Sequence, residues 1–351
     1  MNYRLIHADV IEGLRQLGDG SAQCVVTSPP YWGLRDYGTP GQIGLEPTPE
    51  AYVARLVAVF REVRRVLKDD GTLWLNLGDT YSSGGRVTFR DAASGKQDYL
   101  NGTAVRAATP PNCKPKDLVG IPWMVAFALR ADGWYLRSEI IWHKPNPMPE
   151  SVTDRPTKAH EQIFLLTKNA RYFYDAEAIA EDVVRGDAGS TFTEGNTGVN
   201  GMGRVSQAPR RPSAPRGSFN GKTEAMAEEG RNAFRAVTTT RNKRSVWTVA
   251  TAPFPEAHFA TFPPDLIEPC ILAGSRVGDT VLDPFNGAGT SGVVALSHQR
   301  HYVGIELNGE YVEMSRRRLA NVAPMFATEI GAESARLGLP FAPGTEQETI
   351  P

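Results

Sequence analysis

The chain alternates between short apolar runs and longer segments in which apolar residues recur at helical spacing. The run at 24–26 is rich in β-branched residues and stops shortly before two prolines, which predicts a short buried strand. After Thr48, apolar residues recur every three or four positions, so we predict an amphipathic helix of about five turns that ends at Gly71. Strands that alternate with helices in this way indicate an α/β protein with a mostly parallel sheet.

Similar patterns define the other predicted elements. Residues 161–167 and 171–174 are expected to form an antiparallel hairpin at one edge of the sheet, with its turn at 168–170. The last part of the chain is rich in proline and glycine, and we expect a disordered tail over 323–351. The remaining strands are predicted at 3–8, 72–77, 134–142 and 302–306, and the remaining helices at 10–17, 121–131, 265–273, 291–297 and 310–320.

The first candidate functional stretch directly follows the strand at 24–26 and has the sequence Thr-Ser-Pro-Pro-Tyr-Trp-Gly at 27–33. Two consecutive prolines cannot continue a ladder, because each lacks an N–H and has a fixed φ. They stiffen the turn and direct Ser28 and Tyr31 outward. A hydroxyl, a rigid carbonyl and an aromatic ring suit a base that is flipped out of a duplex. An ordinary proline-rich exit from a strand is the alternative, and this motif alone does not decide between the two.

The second candidate stretch has the sequence Val-Leu-Asp-Pro-Phe-Asn-Gly-Ala-Gly-Thr at 281–290. It predicts a strand, a glycine turn and a helix whose N-terminus offers free N–H groups to a ligand. The next predicted strand ends at Glu306, the position at which an acid contacts ribose hydroxyls in a doubly wound nucleotide site. The glycine turn and this acid together indicate a nucleotide-like cofactor.

Together, the two stretches resemble the β class of amino DNA methyltransferases, in which a Ser-Pro-Pro-Tyr turn precedes an Asp-Pro-Phe-x-Gly-x-Gly-Thr loop. The resemblance covers most of 3–181 and 245–320, including Glu-Ile-Ile-Trp-His-Lys-Pro-Asn at 139–146 and Arg-Pro-Thr-Lys-Ala-His-Glu at 155–161. It implies the α/β methyltransferase fold, a doubly wound and mostly parallel sheet with an antiparallel edge hairpin. Because the glycine loop lies late in the chain, we expect a circular permutation that begins at the third strand and closes the sheet with its last two.

By this resemblance, the catalytic turn of a DNA methyltransferase is formed by Ser28, Pro29, Pro30 and Tyr31. The amino nitrogen of a base is a poor nucleophile because its lone pair is delocalised, so acceptors on its two hydrogens are needed to free that pair. The expected acceptors are the Ser28 hydroxyl and the Pro29 carbonyl, and Tyr31 is expected to stack on the flipped base. Adenine-specific members usually have Asp or Asn where Ser28 stands. The expected target is therefore cytosine N4, with adenine N6 as the alternative.

The cofactor that the resemblance implies is S-adenosyl-L-methionine. An acid at the position of Asp9 contacts the adenine in this family, although Asp9 alone would equally suit an ordinary helix cap. The stretch that contains Phe262 packs near the methionine end of the cofactor. The expected cofactor-binding residues are Asp9, Phe262, Asp283, Phe285, Asn286, Gly287, Gly289, Thr290 and Glu306.

Other chemistries fit the sequence less well. Methylation at cytosine C5 needs a thiolate, whereas Cys24 lies in an apolar strand and is expected to be an inert core thiol. A dinucleotide oxidoreductase would need G-x-G-x-x-G, and the turn here has only Gly287 and Gly289. A catalytically silent DNA-binding protein is a further alternative, against which both intact motifs count. The three cysteines are widely spaced, so we expect no metal site and no ligand role for His258.

Charge is distributed unevenly along the chain, whose total is −1. Residues 184–245 contain eleven basic and five acidic residues, a net charge of +6, and residues 82–118 have a net charge of +3, so the rest has −10. In the resemblance, 184–245 stands where the family has its target-recognition region, so we predict an inserted region whose arginines contact DNA, with a disordered basic linker as the alternative. Residues 82–118 form either a mobile loop that closes over DNA or a solvated insertion.

The predicted domain organisation follows from these segments. Residues 1–183 form the catalytic half of the methyltransferase domain, 184–245 the target-recognition insertion, 246–322 the cofactor half and 323–351 the tail. The sequence contains neither a membrane span nor a signal peptide, so we expect a cytoplasmic protein of a prokaryote or phage, either monomer or homodimer. The expected partner is double-stranded DNA, and a restriction endonuclease that acts on the same site is a candidate second partner.

Overall fold

The computed structural model describes residues 1–34, 38–82, 109–110, 112–182, 240–251, 262–322 and 328–330. Contacts divide the chain into two compact units, one formed by 1–179 with 244–351 and the other by 180–243. Most of the predicted loop at 82–118 and nearly all of the predicted insertion lie outside the described residues. The same is true of His258.

The strands are numbered in chain order. In the second unit, two short strands of the described residues pair in antiparallel orientation, Glu181–Asp182 and Thr240–Arg241. The described strands of the first unit form one nine-stranded sheet. The eleven strands are β1 (Asn2–His7), β2 (Ala22–Thr27), β3 (Leu67–Leu77), β4 (Tyr135–His143), β5 (His160–Thr167), β6 (Glu181–Asp182), β7 (Thr240–Arg241), β8 (Val246–Thr248), β9 (Thr280–Asp283), β10 (His301–Glu306) and β11 (Thr328–Glu329).

The sheet of the first unit has the order β11-β1-β10-β9-β2-β3-β5-β4-β8. All the described neighbours in it are parallel except those of β5, which is antiparallel to both β3 and β4. The strands β9 and β10 come from the last part of the chain, yet they lie between β1 and β2. This order confirms the predicted mostly parallel α/β fold and its circular permutation.

Helices cover both faces of the sheet. Neighbouring residues of a strand point to opposite faces, so Val25 packs in one hydrophobic cluster and Cys24 in the other. The first three helices pack in the cluster that includes Phe60, and the last three pack in the cluster that includes Ile267. The helices are α1 (Val10–Arg15), α2 (Pro49–Val66), α3 (Ile121–Ala131), α4 (Pro264–Gly274), α5 (Thr290–Ser297) and α6 (Gly309–Val322). None of them is both long and apolar enough to cross a membrane.

The long amphipathic helix begins as predicted but ends earlier. The Thr48 side chain caps α2 by accepting a hydrogen bond from the Ala51 N–H at 3.2 Å. The predicted end at Gly71 is wrong, because Leu67 is already extended and begins β3. Gly71 lies inside that strand, where a Cβ would come within 2.9 Å of the Gln23 carbonyl oxygen. This glycine therefore allows close strand approach and does not terminate the helix.

The predicted edge hairpin is wrong in its second arm. Residues 161–167 do form a strand, β5, but 171–174 form none. The physical reason is that β5 lies between β3 and β4 and has backbone partners on both sides. It therefore offers no free edge to the residues that follow it. The antiparallel pair that the fold requires consists of β4 and β5.

The predicted disordered tail contains a short strand. Residues Thr328–Glu329 form β11, which pairs in parallel with the start of β1. The Ile330 N–H continues this pairing by donating to the Tyr3 carbonyl at 2.8 Å. The other residues of 323–351 lie outside the part of the chain that the structure describes.

Candidate active site

A cavity of about 360 Å³ opens at the edge of the sheet where the parallel strands end. Its size is typical of a small-molecule site. Gly289, one of the predicted site residues, does not line it and is instead the N-cap residue of α5. The predicted site residues that do line the cavity are Asp9, Ser28, Pro29, Pro30, Tyr31, Phe262, Asp283, Phe285, Asn286, Gly287, Thr290 and Glu306.

The turn after β2 is held in place by two side chains that bond to backbone carbonyls. The Tyr52 hydroxyl, from α2, donates to the Pro30 carbonyl oxygen at 2.8 Å. The buried Trp32 indole donates to the Glu46 carbonyl oxygen, also at 2.8 Å. With the turn held at Pro30 and at Trp32, the cavity-lining hydroxyl and aromatic ring are presented at fixed positions.

A network of polar side chains surrounds the Tyr31 hydroxyl. The Tyr31 hydroxyl donates to Glu161 Oε2 at 2.8 Å and accepts from Asn76 Nδ2 at 2.9 Å. Ser28 Oγ lies 3.1 Å from the same hydroxyl. Asn76 Nδ2 also donates to Glu161 Oε2 at 3.0 Å, and Lys144 Nζ donates to Oε1 at 2.5 Å. One carboxylate therefore anchors the network.

The strand order explains how these distant residues meet. Asn76 lies near the end of β3, and Lys144 directly follows β4. Glu161 lies at the start of β5, and because β5 is antiparallel its start reaches the edge where β3 and β4 end. Glu161 pairs in register with Trp142, whose ring centroid is 4.2 Å from Lys144 Nζ. This cation–π contact fixes the ammonium beside the carboxylate.

The Tyr31 ring is held against the backbone of Gly78. A Cβ at Gly78 would lie 2.5 Å from the ring atom Cε2, so any other residue would displace the ring. Burial and the charge of Glu161 raise the pKa of Tyr31 well above its ordinary value. The phenol therefore stays protonated at neutral pH.

At the other end of the cavity, a carboxylate holds the glycine turn. Glu306 Oε2 accepts from the Gly287 N–H at 2.7 Å, and Oε1 accepts from the Asn308 N–H at 2.9 Å. Burial raises the pKa of Glu306 above its ordinary value. Two carboxylate oxygens offer about four lone-pair sites, so Glu306 can still accept hydrogen bonds from ligand hydroxyls.

The glycine turn is also braced from behind by a buried amide. Asn286 Oδ1 accepts from the Tyr302 hydroxyl at 2.7 Å, and Asn286 Nδ2 donates to Ser315 Oγ at 2.7 Å. A Cβ at Gly304 would lie 2.4 Å from Asn286 Oδ1. Only glycine leaves room for this amide.

Asp283 joins the two predicted motifs. Its Oδ1 accepts from Thr27 Oγ1 at 2.6 Å and from the Phe285 N–H at 3.0 Å, and its Oδ2 accepts from Ser291 Oγ at 2.7 Å. Thr27 is the last residue of β2, so the turn after β2 and the glycine turn share one buried carboxylate. Burial raises the pKa of Asp283 from 3.8 to about 6. Asp283 therefore ties the two turns together in the cavity wall.

Asp9 is a helix cap and also lies in the cavity wall. Its Oδ1 accepts from the Ile11 N–H at 2.9 Å, so it caps α1, and the residue also lines the cavity. The partly buried Phe262 and Phe285 line the cavity as well. Their apolar surfaces make this part of the wall hydrophobic.

Sequence analysis missed several residues of the cavity wall. Trp142, Lys144 and Glu161 lie in the two stretches at 139–146 and 155–161 that take part in the resemblance, but neither stretch indicates by itself which of its residues reach the site. Long-range strand pairing and loops bring the missed residues to the cavity. They include Asn76, Trp142, Lys144, Glu161, Asn308 and Tyr311.

Methylation at cytosine C5 finds no support in the geometry. Cys24 is fully buried, and burial raises the pKa of its thiol to about 12, which confirms an inert core thiol. Within the described ranges, no group of three or more His, Cys, Asp or Glu residues could hold a metal ion.

Comparison with known proteins gives concordant matches. A family model described as DNA methylase matches residues 22–317. The type II methyltransferase M.Cfr9I of Citrobacter freundii is 48% identical over 315 residues, which cover 90% of this chain and 87% of that protein. M.SmaI of Serratia marcescens is 46% identical over 318 residues, which cover 90% of each chain.

Solved structures show the same fold. The cytosine-N4-specific PvuII DNA methyltransferase has a TM-score of 0.57 at 17% identity, covering 96% of this chain and 90% of that one. TTHA0409 of Thermus thermophilus, complexed with S-adenosyl-L-methionine, has a TM-score of 0.54 at 23% identity, covering 93% of this chain and 97% of that one. With the family match over most of the chain, these findings show that the protein belongs to the N4/N6 DNA methylase family and is an S-adenosylmethionine-dependent DNA methyltransferase.

Proposed function

We propose that the enzyme transfers a methyl group to the exocyclic N4 amino group of a cytosine flipped out of double-stranded DNA. The observation that carries this proposal is that Ser28 and Gly287 line one cavity, so an amino group presented to Ser28 faces the cofactor site. Serine at this position favours cytosine, because adenine-specific members usually have Asp or Asn there. Adenine N6 is the alternative target of the same geometry.

The residues at the glycine turn fit the cofactor. Glu306 keeps lone pairs for the two ribose hydroxyls after accepting its two backbone N–H groups. Gly287 has a φ of +49°, and a Cβ there would meet no atom nearer than 4.0 Å, so the turn leaves open space beside the cavity. Asp9 would contact the adenine, and Phe262 would lie at the methionine end. Bound S-adenosylmethionine supplies an electrophilic methyl group on a sulfonium sulfur.

The catalytic turn makes the target nitrogen nucleophilic. Ser28 Oγ and the Pro29 carbonyl accept hydrogen bonds from the two amino hydrogens, which favours a more tetrahedral nitrogen and frees its lone pair. The nitrogen forms a bond to the methyl carbon, the carbon–sulfur bond breaks, and the nitrogen then loses one proton to solvent. A serine hydroxyl titrates too high to act as a general base. Base extrusion costs a few kcal/mol, and stacking on Tyr31 returns about 1–3 kcal/mol.

The test is to identify the modified nucleoside. The purified protein is incubated with unmodified duplex DNA and methyl-labelled S-adenosylmethionine, and the DNA is digested to nucleosides for mass spectrometry. We expect N4-methylcytosine. N6-methyladenine would overturn the choice of base, and absence of label in DNA would overturn the activity. Ser28→Ala should lose single-turnover rate with little change in cofactor affinity.

We further propose that residues 184–245 recognise the DNA site. The support is their net charge of +6 in a chain whose total is −1. Replacing the region by a neutral Gly/Ser linker should leave cofactor binding normal, make DNA binding less dependent on salt, and abolish site selectivity. If such a variant still modified the same site, recognition would belong to 82–118.

The curated relatives are named type II methyltransferases, so we propose that the enzyme is the modification partner of a restriction endonuclease with the same site. Sequencing the DNA of an expressing host with modified-base detection should reveal one modified sequence. That DNA should then resist an endonuclease that cuts the mapped site. Cleavage as rapid as that of unmodified DNA would contradict this pairing.

A further inference from the structure

The hydrogen bonds around Tyr31 have a direction that follows from the chemistry of the partners. An ionised carboxylate only accepts, so Tyr31 must donate its single proton to Glu161. An amide NH₂ only donates, so Asn76 Nδ2 must occupy one lone pair of the Tyr31 oxygen. The remaining neighbour, Ser28 Oγ at 3.1 Å, can then interact only by donating its own proton to Tyr31.

This arrangement commits the only proton of the Ser28 hydroxyl. With that proton on the bond to Tyr31, the Ser28 oxygen offers nothing but lone pairs to the cavity that it lines. An amino hydrogen therefore meets an acceptor. If the chain of bonds ran the other way, Tyr31 would donate to Ser28, and the Ser28 proton would be free to face the amino group.

We propose that Glu161 is a positioning residue that acts through the Tyr31 hydroxyl to make Ser28 an obligate hydrogen-bond acceptor toward the target amino group. This inference rests on the proposed role of Ser28 in the reaction. It gives Tyr31 a second role besides stacking, because its hydroxyl transmits the direction that the carboxylate sets. No proton has to leave the chain of bonds in this role.

Glu161 is well placed to set the direction, because its own partners are all donors. Lys144 Nζ donates to one of its oxygens at 2.5 Å, and Asn76 Nδ2 donates to the other at 3.0 Å. The side chains of Glu161 and Lys144 are only 16% and 18% exposed, so water screens this pair weakly. Because each of these bonds has a donor on its other side, Glu161 is the final acceptor of the network.

The first test is Tyr31→Phe, which removes the hydroxyl and keeps the ring. If Tyr31 only stacks, the variant should turn over like the wild type. If its hydroxyl relays the direction of hydrogen bonding from Glu161 to Ser28 (the relay), the single-turnover rate should fall by about 10- to 100-fold. This is the range expected for losing one hydrogen bond to a charged group. The dissociation constants for S-adenosylmethionine and for a duplex carrying the mapped site should stay within about twofold. Tyr172→Phe, the same change outside the cavity, is the matched control.

The second test is Glu161→Gln, which keeps the shape and removes the charge. An amide can donate to Tyr31 and so reverse the chain of bonds, so we expect a rate loss similar to that of Tyr31→Phe. Glu268→Gln, a carboxylate on α4 away from the cavity, is its control. Thermal unfolding and cofactor binding verify folding. If Glu161→Gln does not fold, Tyr31→Phe decides alone.

The decisive test uses Ser28→Ala as a background. Because the relay acts only through Ser28, Tyr31→Phe should lower the rate in the wild type and cause no further loss in Ser28→Ala. Equal losses in both backgrounds, or a wild-type rate in Tyr31→Phe, would overturn the relay. A wild-type rate in Ser28→Ala itself would overturn the proposed function instead, so the two failures are distinguishable.

Discussion

The cavity has two ends, each built around one carboxylate, and the carboxylates bind different partners. At the end of the cavity that we propose receives the base (the base end), Glu161 accepts hydrogen bonds from three side chains, among them the Tyr31 hydroxyl. At the end that we propose holds the cofactor (the cofactor end), Glu306 accepts from two backbone N–H groups and thereby fixes the glycine turn. Changes at the base end should therefore alter turnover, and changes at the cofactor end should alter cofactor affinity.

Glu306→Ala is expected to have the largest effect that is confined to one end of the cavity. The substitution removes the acceptor of the Gly287 and Asn308 N–H groups as well as the proposed ribose contact, and buried N–H groups without partners cost about 1–3 kcal/mol each. We expect S-adenosylmethionine affinity to fall by about 2–4 kcal/mol, measured by calorimetry. Affinity for DNA without cofactor should hardly change. Undiminished cofactor affinity would remove Glu306 from the site.

Asp283, which joins the two ends, should make the stability of the fold depend on pH. The folded pKa of Asp283 is about 6 against an ordinary 3.8, so between these values the folded state holds a proton that the unfolded state has lost. Stability therefore falls as pH rises through that window, by about 3 kcal/mol in all. Asp283→Asn cannot titrate, so its stability relative to wild type should rise by this amount from about pH 4 to about pH 7. Chemical denaturation at several pH values measures it, and a difference that is constant with pH would contradict the shift.

The smallest expected effects come from placing the same substitution, glycine to alanine, at each end of the cavity. Gly78→Ala puts a methyl 2.5 Å from the Tyr31 ring, and Gly304→Ala puts one 2.4 Å from Asn286 Oδ1. Overpacking of this kind costs about 1–3 kcal/mol. Gly78→Ala should slow single turnover and spare cofactor affinity, whereas Gly304→Ala should weaken cofactor binding and spare turnover at saturating cofactor. Equal effects of both variants on both parameters would mean that the ends are not separate.

The contiguous parts of the site were predictable from sequence, because each motif carries its own local chemistry. The strand after the glycine turn ends in Glu306 as expected, and Ser28 and Tyr31 line the same cavity as that turn. Glu161 could not be assigned in this way. Its position depends on the antiparallel insertion of β5 between two strands, and strand pairing over long sequence distances leaves no periodic signal.

The errors in the fold have the same origin. The aromatic-rich segment at 171–174 has the composition of a strand, but β5 has no free edge left to pair with it. Gly71 looks like a helix terminator, yet its requirement is the close approach of the Gln23 carbonyl from the neighbouring strand. Local sequence indicates only the propensity of a segment. At 171–174 and at Gly71, the contacts with neighbouring strands determine the structure.

The permuted strand order also determines when neighbouring strands of the sheet become available during translation. The strands β1 and β2 leave the ribosome early, but the two strands that fill the gap between them are completed only at Glu306. At about 5–20 residues per second, the nascent sheet keeps two open edges for on the order of 15–60 s. Until then the turn after β2 has no glycine turn beside it. The exposed strand edges of the growing chain are where misfolding during translation would begin.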